Sequence, residues 1–133
     1  MVWNTKKKHV MNGIDFLADT NFLIYVLEGR QEVEIFTGFS FAISFVTEIE
    51  LLGKRGITKN EKVVIQELLD ACLIIDLNAT IKAKAIELKQ QRKIKLPDSV
   101  IASTALYTNL PLLTADRGFD DIPNLEAMIF EIS

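Results

Sequence analysis

Four acidic residues lie just past an apolar run or near a predicted helix start, and their types suit metal-dependent chemistry: Asp19, Glu50, Asp98 and Asp116. If the apolar runs are strands of a parallel sheet, their carboxyl ends share one edge, where such sheets bind ligands. Carboxylates gathered there repel one another and raise at least one pKa. Mg²⁺ or Mn²⁺, which prefer oxygen ligands, would offset that repulsion. Such an ion activates water, so these residues predict phosphodiester hydrolysis.

Three of these acids also have an ordinary structural interpretation when each is taken alone. Asp19 is also a favoured N-cap for the helix predicted after it. Asp98 follows Pro97, and a first-turn acid stabilises the helix dipole. Asp116 lies in Asp-Arg-Gly, which is typical of a turn. The coincidence of all four acids at one sheet edge favours the functional interpretation.

The second acidic position has two candidates, Glu48 and Glu50. They lie about 200° apart on a helix, so only one of them can face the site. Helical periodicity alone leaves this choice open.

Composition excludes several other chemistries. The chain has one cysteine, Cys72, and one histidine, His9. A lone cysteine excludes an intrachain disulfide and multi-cysteine metal sites, and its apolar setting predicts a small core residue. A lone histidine in the N-terminal tail argues against a Ser/His/Asp triad and a histidine-rich zinc site. The net charge of −3 does not favour a polyanionic partner, so the local distribution of charge matters more.

The elements that must position these acids alternate between short apolar runs and helical periodicities, which is typical of α/β units. The predicted strands are 14–18, 41–46, 73–77, 110–114 and 127–132. The predicted helices are 20–27, 47–54, one that starts at the cap 58–60, 78–92 and 98–107, with a short helical or irregular piece at 31–37. Right-handed crossovers then give a three-layer α/β/α sandwich on a five-stranded, mainly parallel sheet.

We expect one domain over residues 13–133 and a peripheral or disordered extension over residues 1–12. The extension has a basic cluster but no apolar segment behind it, unlike a signal peptide. No apolar run approaches the roughly 20 residues that a membrane-spanning helix needs. We therefore expect a soluble, cytoplasmic protein.

Four segments together resemble the PIN-domain ribonucleases, and in particular the VapC toxins of bacterial and archaeal toxin–antitoxin pairs. The segments are Leu-Ala-Asp-Thr-Asn (17–21), Ser-Phe-Val-Thr-Glu-Ile-Glu-Leu-Leu-Gly (44–53), Leu-Pro-Asp-Ser-Val-Ile-Ala (96–102) and Leu-Thr-Ala-Asp-Arg-Gly-Phe (113–119). They follow the order and spacing of that family from residue 14 onward, although no single segment is specific.

The resemblance implies a PIN-like fold, RNA cleavage with Mg²⁺ or Mn²⁺, and inhibition by a cognate antitoxin. It implies that Glu50 rather than Glu48 is the second acid. The residues that match the metal-binding acids are Asp19, Glu50, Asp98 and Asp116, and the matching support residues are Asn21 and Thr114. The chain departs from the pattern at Gly118, where relatives often carry a polar or charged residue, and in the pair Asp120-Asp121, either of which could add a ligand.

Two further surfaces are hypotheses. Basic residues outnumber acids over 82–95, and we expect some of them to hold RNA phosphates beside the site, although a solvated helix face is the alternative. The RNA-binding candidates are Arg92, Lys93 and Lys95, with Lys54 and Arg55 as a second rim. We also expect a homodimer and an antitoxin interface, for which the apolar candidates are Tyr25, Phe36 and Phe39, unless these belong to the core.

The sequence therefore predicts a metal-dependent endoribonuclease, the toxin of a toxin–antitoxin pair. One alternative is a receiver-like phospho-acceptor domain, which usually needs an acidic pair after strand one and a lysine after strand five; neither is evident. The other is a non-catalytic module that keeps the fold, against which the presence of all four acids argues.

Overall fold

The structure is a computed structural model that describes residues 13–133, so the predicted extension over 1–12 lies outside the described residues. The strands are β1 (Phe16–Ala18), β2 (Phe41–Ser44), β3 (Leu73–Ile75), β4 (Leu112–Thr114) and β5 (Ala127–Ile129). The α-helices are α1 (Thr20–Leu27), α2 (Phe45–Leu52), α3 (Lys59–Asp70), α4 (Ala79–Gln91) and α5 (Leu96–Thr108), with 3₁₀ segments at Gln31–Phe36 and Arg117–Phe119.

The five strands form one sheet in the order β3-β2-β1-β4-β5, and all four strand pairs are parallel. In the central strand, Leu17 lies between Ala42 of β2 and Leu112 of β4. The chain builds outward from β1 to one side through β2 and β3, and then to the other side through β4 and β5. The strand order therefore reverses between β1 and β4, and a crevice opens there beyond their carboxyl ends.

Alternate residues of β1 pack into two separate hydrophobic cores, one on each face of the sheet. Phe16 and Ala18 of β1 pack in a cluster with Phe22 and Leu23 of α1. Leu17, which points to the other face, packs in a cluster that contains Ile101 of α5. The sheet is thus covered on both faces, which confirms the predicted three-layer sandwich.

Several strands are shorter than predicted. A local hydrogen bond accounts for the shorter β2, and a proline accounts for the shorter β4. β2 ends at Ser44 because its hydroxyl accepts from the Val46 amide at 3.1 Å and caps α2, which begins two residues earlier than expected. β4 begins at Leu112 because Pro111 has no N–H for the ladder.

Helix α5 carries one of the candidate acids and is bounded by clear signals. It begins at Leu96 rather than Asp98, with Pro97 in the first turn where its missing N–H has no cost. It ends at Thr108, and the C-cap residue Asn109 takes the left-handed conformation with φ of 61°.

Most of the apolar candidates for an interface belong at least partly to the core. Phe36 is buried and Tyr25 is partly buried against the β1–α1 cluster, whereas Phe39 is 39% exposed. Cys72 is a partly buried neighbour of the same cluster, as expected for a small core residue. Within residues 13–133, no helix has both the length and the apolar character needed to cross a membrane.

Candidate active site

The crevice at the carboxyl end of the sheet is lined by all four predicted acids. It encloses a cavity of about 210 Å³ whose walls include Asp19, Glu50, Asp98 and Asp116 together with Asn21. These residues come from four separate parts of the chain, and the parallel sheet brings them to one mouth. Ile101 and Phe119 are apolar residues of the same lining.

Asp19 is the most buried of the four acids, with 4% of its surface exposed. It follows β1 and caps α1, since its Oδ1 accepts from the Phe22 amide at 2.8 Å. Its Oδ2 accepts from the Thr114 hydroxyl at 2.5 Å. Burial raises the pKa of Asp19 to about 6, and the charges of Asp98 and Asp116 add to this rise. The two hydrogen bonds act in the opposite direction and lower the pKa.

Thr114 connects the first acid to the fourth. Its hydroxyl donates to Asp19 and accepts from the Asp116 amide at 3.0 Å. Asp116 in turn accepts from the Gly118 amide at 2.8 Å. A Cβ at Gly118 would stand 3.0 Å from Asp116 Oδ1, so the glycine gives this carboxylate its space.

Of the two candidates for the second acid, Glu50 lines the cavity and Glu48 does not. Glu50 lies on α2, and its Oε1 accepts from the Thr20 hydroxyl at 2.6 Å. The Thr20 hydroxyl also lies 2.9 Å from the hydroxyl of Thr47, which is fully buried.

Asp98 completes the acidic set from the first turn of α5. Burial raises the pKa of Asp98, and the negative charges of Asp116 and Glu50 raise it further, while Lys95 opposes them. The four carboxylates thus act on one another electrostatically, which is the condition under which a cation is most stabilising.

The predicted basic residues fall into three groups. Lys93 and Lys95 line a second cavity of about 260 Å³, which shares Asp98, Asp116 and Phe119 with the first. Arg92 is held instead by an ion pair of 2.9 Å with Asp121, whose carboxylate is therefore turned toward the guanidinium. Lys54 pairs with Glu61, and Arg55 lies exposed in the following loop. Neither Asp120 nor Asp121 is among the residues that line the two cavities.

The donors at this site fit a hard divalent cation in kind, because carboxylate oxygens dominate its polar lining. Across residues 13–133, no three His, Cys, Asp or Glu side chains are close enough together to hold a metal by themselves. An ion in this cavity would therefore be held directly by one or two of the acids Asp19, Glu50, Asp98 and Asp116 and would keep water molecules, as Mg²⁺ usually does when a phosphate completes its shell.

Two residues with direct contacts in the site were missed by the sequence analysis, Thr20 and Thr47. The sequence pattern that could have identified them lies in the motifs Asp-Thr-Asn and Ser-x-x-Thr-x-x-Glu, where each threonine is close to an acid along the chain. Sequence alone does not show that the two hydroxyls meet, since 27 residues separate them.

Comparison with known proteins identifies the family. A model of the PIN domain matches residues 16–125. One similar solved structure belongs to a toxin–antitoxin complex from Klebsiella pneumoniae, with 30% identity, a TM-score of 0.76, and coverage of 89% of this chain and 100% of that chain. The comparison with curated proteins gave no significant match.

Two further solved structures share the fold. The chain is 25% identical to one in VapBC-1 from nontypeable Haemophilus influenzae, with a TM-score of 0.74 and coverage of 87% of this chain and 98% of that chain. It is 23% identical to one in VapBC2 from Rickettsia felis bound to a promoter DNA fragment, with a TM-score of 0.76 and coverage of 89% and 100%. The match at 23% supports the fold alone.

Proposed function

The chain belongs to the PIN-domain family, and on that premise we propose that it is an endoribonuclease that uses Mg²⁺ or Mn²⁺ and serves as the toxin of a toxin–antitoxin pair. The observation that carries this proposal is the meeting of four carboxylates from separate parts of the chain at the switch point of the sheet. A purely structural set of acids would have no reason to share one cavity, where burial and the neighbouring carboxylates raise the pKa of Asp19 and of Asp98.

In this proposal the cation would be held by acids of the cavity, Asp19, Glu50, Asp98 and Asp116, and other side chains orient these acids or bind the substrate. When bound, a divalent cation supplies an activated water molecule and offsets the charge that develops on the phosphate. Asp19 is rigidly oriented by its two hydrogen bonds, and Thr114 ties it to Asp116. Lys93 and Lys95 stand beside the acids where they would bind the phosphates that flank the scissile bond.

A cleavage assay with matched substrates tests the reaction. Labelled single-stranded RNA and DNA of the same sequence are incubated with the purified protein in Mg²⁺, in Mn²⁺ and in EDTA. We expect internal cuts in the RNA with either ion, no cuts in EDTA, and intact DNA. Cleavage that persists in EDTA, or RNA that stays intact with both ions, would contradict the proposal.

We propose that the antitoxin occupies an apolar groove next to the site. The groove has a volume of about 630 Å³ and runs between α1, α2 and α3. Its apolar walls are formed by Ile24, Leu27, Leu51, Val64 and Ile65, and Glu50 lies at its junction with the acidic cavity. A protein segment in the groove could therefore cover the site, and the Klebsiella pneumoniae relative was solved in a toxin–antitoxin complex.

Two neighbouring valines of α3 provide a matched test of this interface. Val64 lines the groove and is 53% exposed, whereas Val63 is 58% exposed and lies outside the groove lining. Val64→Glu should reduce co-purification with an antitoxin encoded beside this gene by at least about tenfold, because a charge would be buried on binding. Val63→Glu should not reduce it. Equal effects of the two substitutions would place the interface elsewhere.

The homodimer and the cytoplasmic location stay predictions that we include in the proposal. Phe39 is partly exposed, and its ring is one apolar surface that a second copy of the chain could contact. Light scattering coupled to size exclusion would measure the mass, and a monomer at all concentrations would contradict the dimer. Recovery of the protein from the membrane or periplasmic fraction of its host would contradict the cytoplasmic location.

A further inference from the structure

A pair of threonine hydroxyls stands behind Glu50. Thr20 is the first residue of α1, and its hydroxyl lies 2.6 Å from Glu50 Oε1. Thr47 lies three residues before Glu50 on α2, and its hydroxyl lies 2.9 Å from that of Thr20. The three polar groups therefore form one chain that joins the first turn of α1 to α2.

The number of protons fixes the direction of this chain. An ionised carboxylate accepts hydrogen bonds and donates none, so Thr20 must donate its single hydroxyl proton to Glu50. Thr20 then has no proton left for its other neighbour. Thr47 must accordingly be the donor to Thr20, which gives the order Thr47 to Thr20 to Glu50.

Glu50 borders two different spaces, so its carboxylate needs a contact that selects one of them. The residue is exposed, and it lines both the acidic cavity and the apolar groove. A free glutamate side chain there would sample several rotamers, at an entropic cost each time it had to return to the cavity. Thr47, in contrast, is fully buried and fixed between the helices, so it offers a rigid anchor.

We propose that Thr47 is a positioning residue, which acts through Thr20 to hold the Glu50 carboxylate toward the acidic cavity and so raises the affinity of the site for a divalent cation. The inference rests on the proposed function, because it assumes that Glu50 is one of the acids that hold the ion. It goes beyond that proposal by assigning a role to a side chain that does not line the cavity.

Calorimetric titration of the full chain with Mn²⁺ tests the inference without an activity assay. Thr47→Val keeps the shape of the side chain but removes the proton donor. We expect it to weaken Mn²⁺ binding by about three- to tenfold, since a hydrogen bond to a charged group loses its support. Thr47→Ser, which keeps the hydroxyl, should bind Mn²⁺ within about twofold of the wild type.

A matched control separates this effect from the general loss of a buried hydroxyl. Thr108 is also fully buried, but its hydroxyl donates to the Thr104 backbone carbonyl at 2.8 Å near the far end of α5. Thr108→Val should leave Mn²⁺ affinity unchanged. Melting temperatures in EDTA show whether each variant still folds.

A double-mutant cycle with Glu50→Ala then tests whether Thr47 acts through Glu50. If it does, adding Thr47→Val to Glu50→Ala causes no further loss of Mn²⁺ affinity. Additive losses, or an unchanged affinity in Thr47→Val while Glu50→Ala binds weakly, would overturn the positioning role alone. An unchanged affinity in Glu50→Ala would overturn both this inference and the place of Glu50 in the proposed site.

Discussion

Replacement of Asp19 by asparagine is expected to lower the rate of RNA cleavage by at least about a thousandfold, which corresponds to about 4 kcal/mol of transition-state stabilisation. The asparagine can keep the helix cap, because its side-chain oxygen can still accept from the Phe22 amide. It removes the most buried charge of the site, so a cation loses its most rigidly held ligand. The loss should therefore appear in catalysis and metal affinity rather than in folding.

The matched control for this variant is Asp120→Asn. Asp120 is exposed, lies four residues from Asp116, and is not among the residues that line either cavity. The variant should cleave RNA within about twofold of the wild type, since Asp120 does not line either cavity. Full activity in Asp19→Asn, with a melting curve like that of the wild type, would remove Asp19 from the catalytic centre.

The double variant Lys93→Glu/Lys95→Glu is expected to weaken binding of single-stranded RNA by about ten- to a hundredfold at low salt. Both lysines line the cavity next to Asp98 and Asp116, where they are placed to meet phosphates. Each lost phosphate contact should reduce the slope of log affinity against log salt by about 0.7 for a single strand. Two lost contacts should therefore flatten the slope by about 1.4.

Binding is best measured in proteins that also carry Asp19→Asn, so that the RNA stays intact during the titration. Lys59→Glu/Lys62→Glu is the control, because both lysines are exposed, neither lines a cavity, and the change in net charge is the same. The control should lose little affinity. An equal loss in the two double variants would mean that overall charge, and not a local contact, governs RNA binding.

Features that depend on neighbouring residues could be predicted from the sequence. The apolar run before Asp19 predicted a buried strand, and the helix over 20–27 was predicted with the bounds that the structure gives. Parallel strands with crossovers determined that acids after β1 and β4 meet at one edge. The placement of all four acids around one cavity followed from these local patterns.

Features that depend on tertiary contacts could not be predicted in this way. The position of Arg92 against Asp121 depends on the packing of two loops that are 29 residues apart in the chain. The contact between Thr20 and Thr47 likewise exists only once α1 and α2 have packed. The end of β2 at Ser44 was a different case, because an apolar run continued through Val46 while the serine side chain favoured a helix cap.

A crystal structure of the protein with Mn²⁺, measured at a wavelength where manganese scatters anomalously, tests the central claim most directly. We expect an anomalous peak in the crevice beyond β1 and β4, within coordination distance of at least two of the four carboxylates at Asp19, Glu50, Asp98 and Asp116. A crevice without a peak at saturating Mn²⁺, or carboxylates spread beyond about 10 Å, where exposed charges are largely screened from one another, would contradict it.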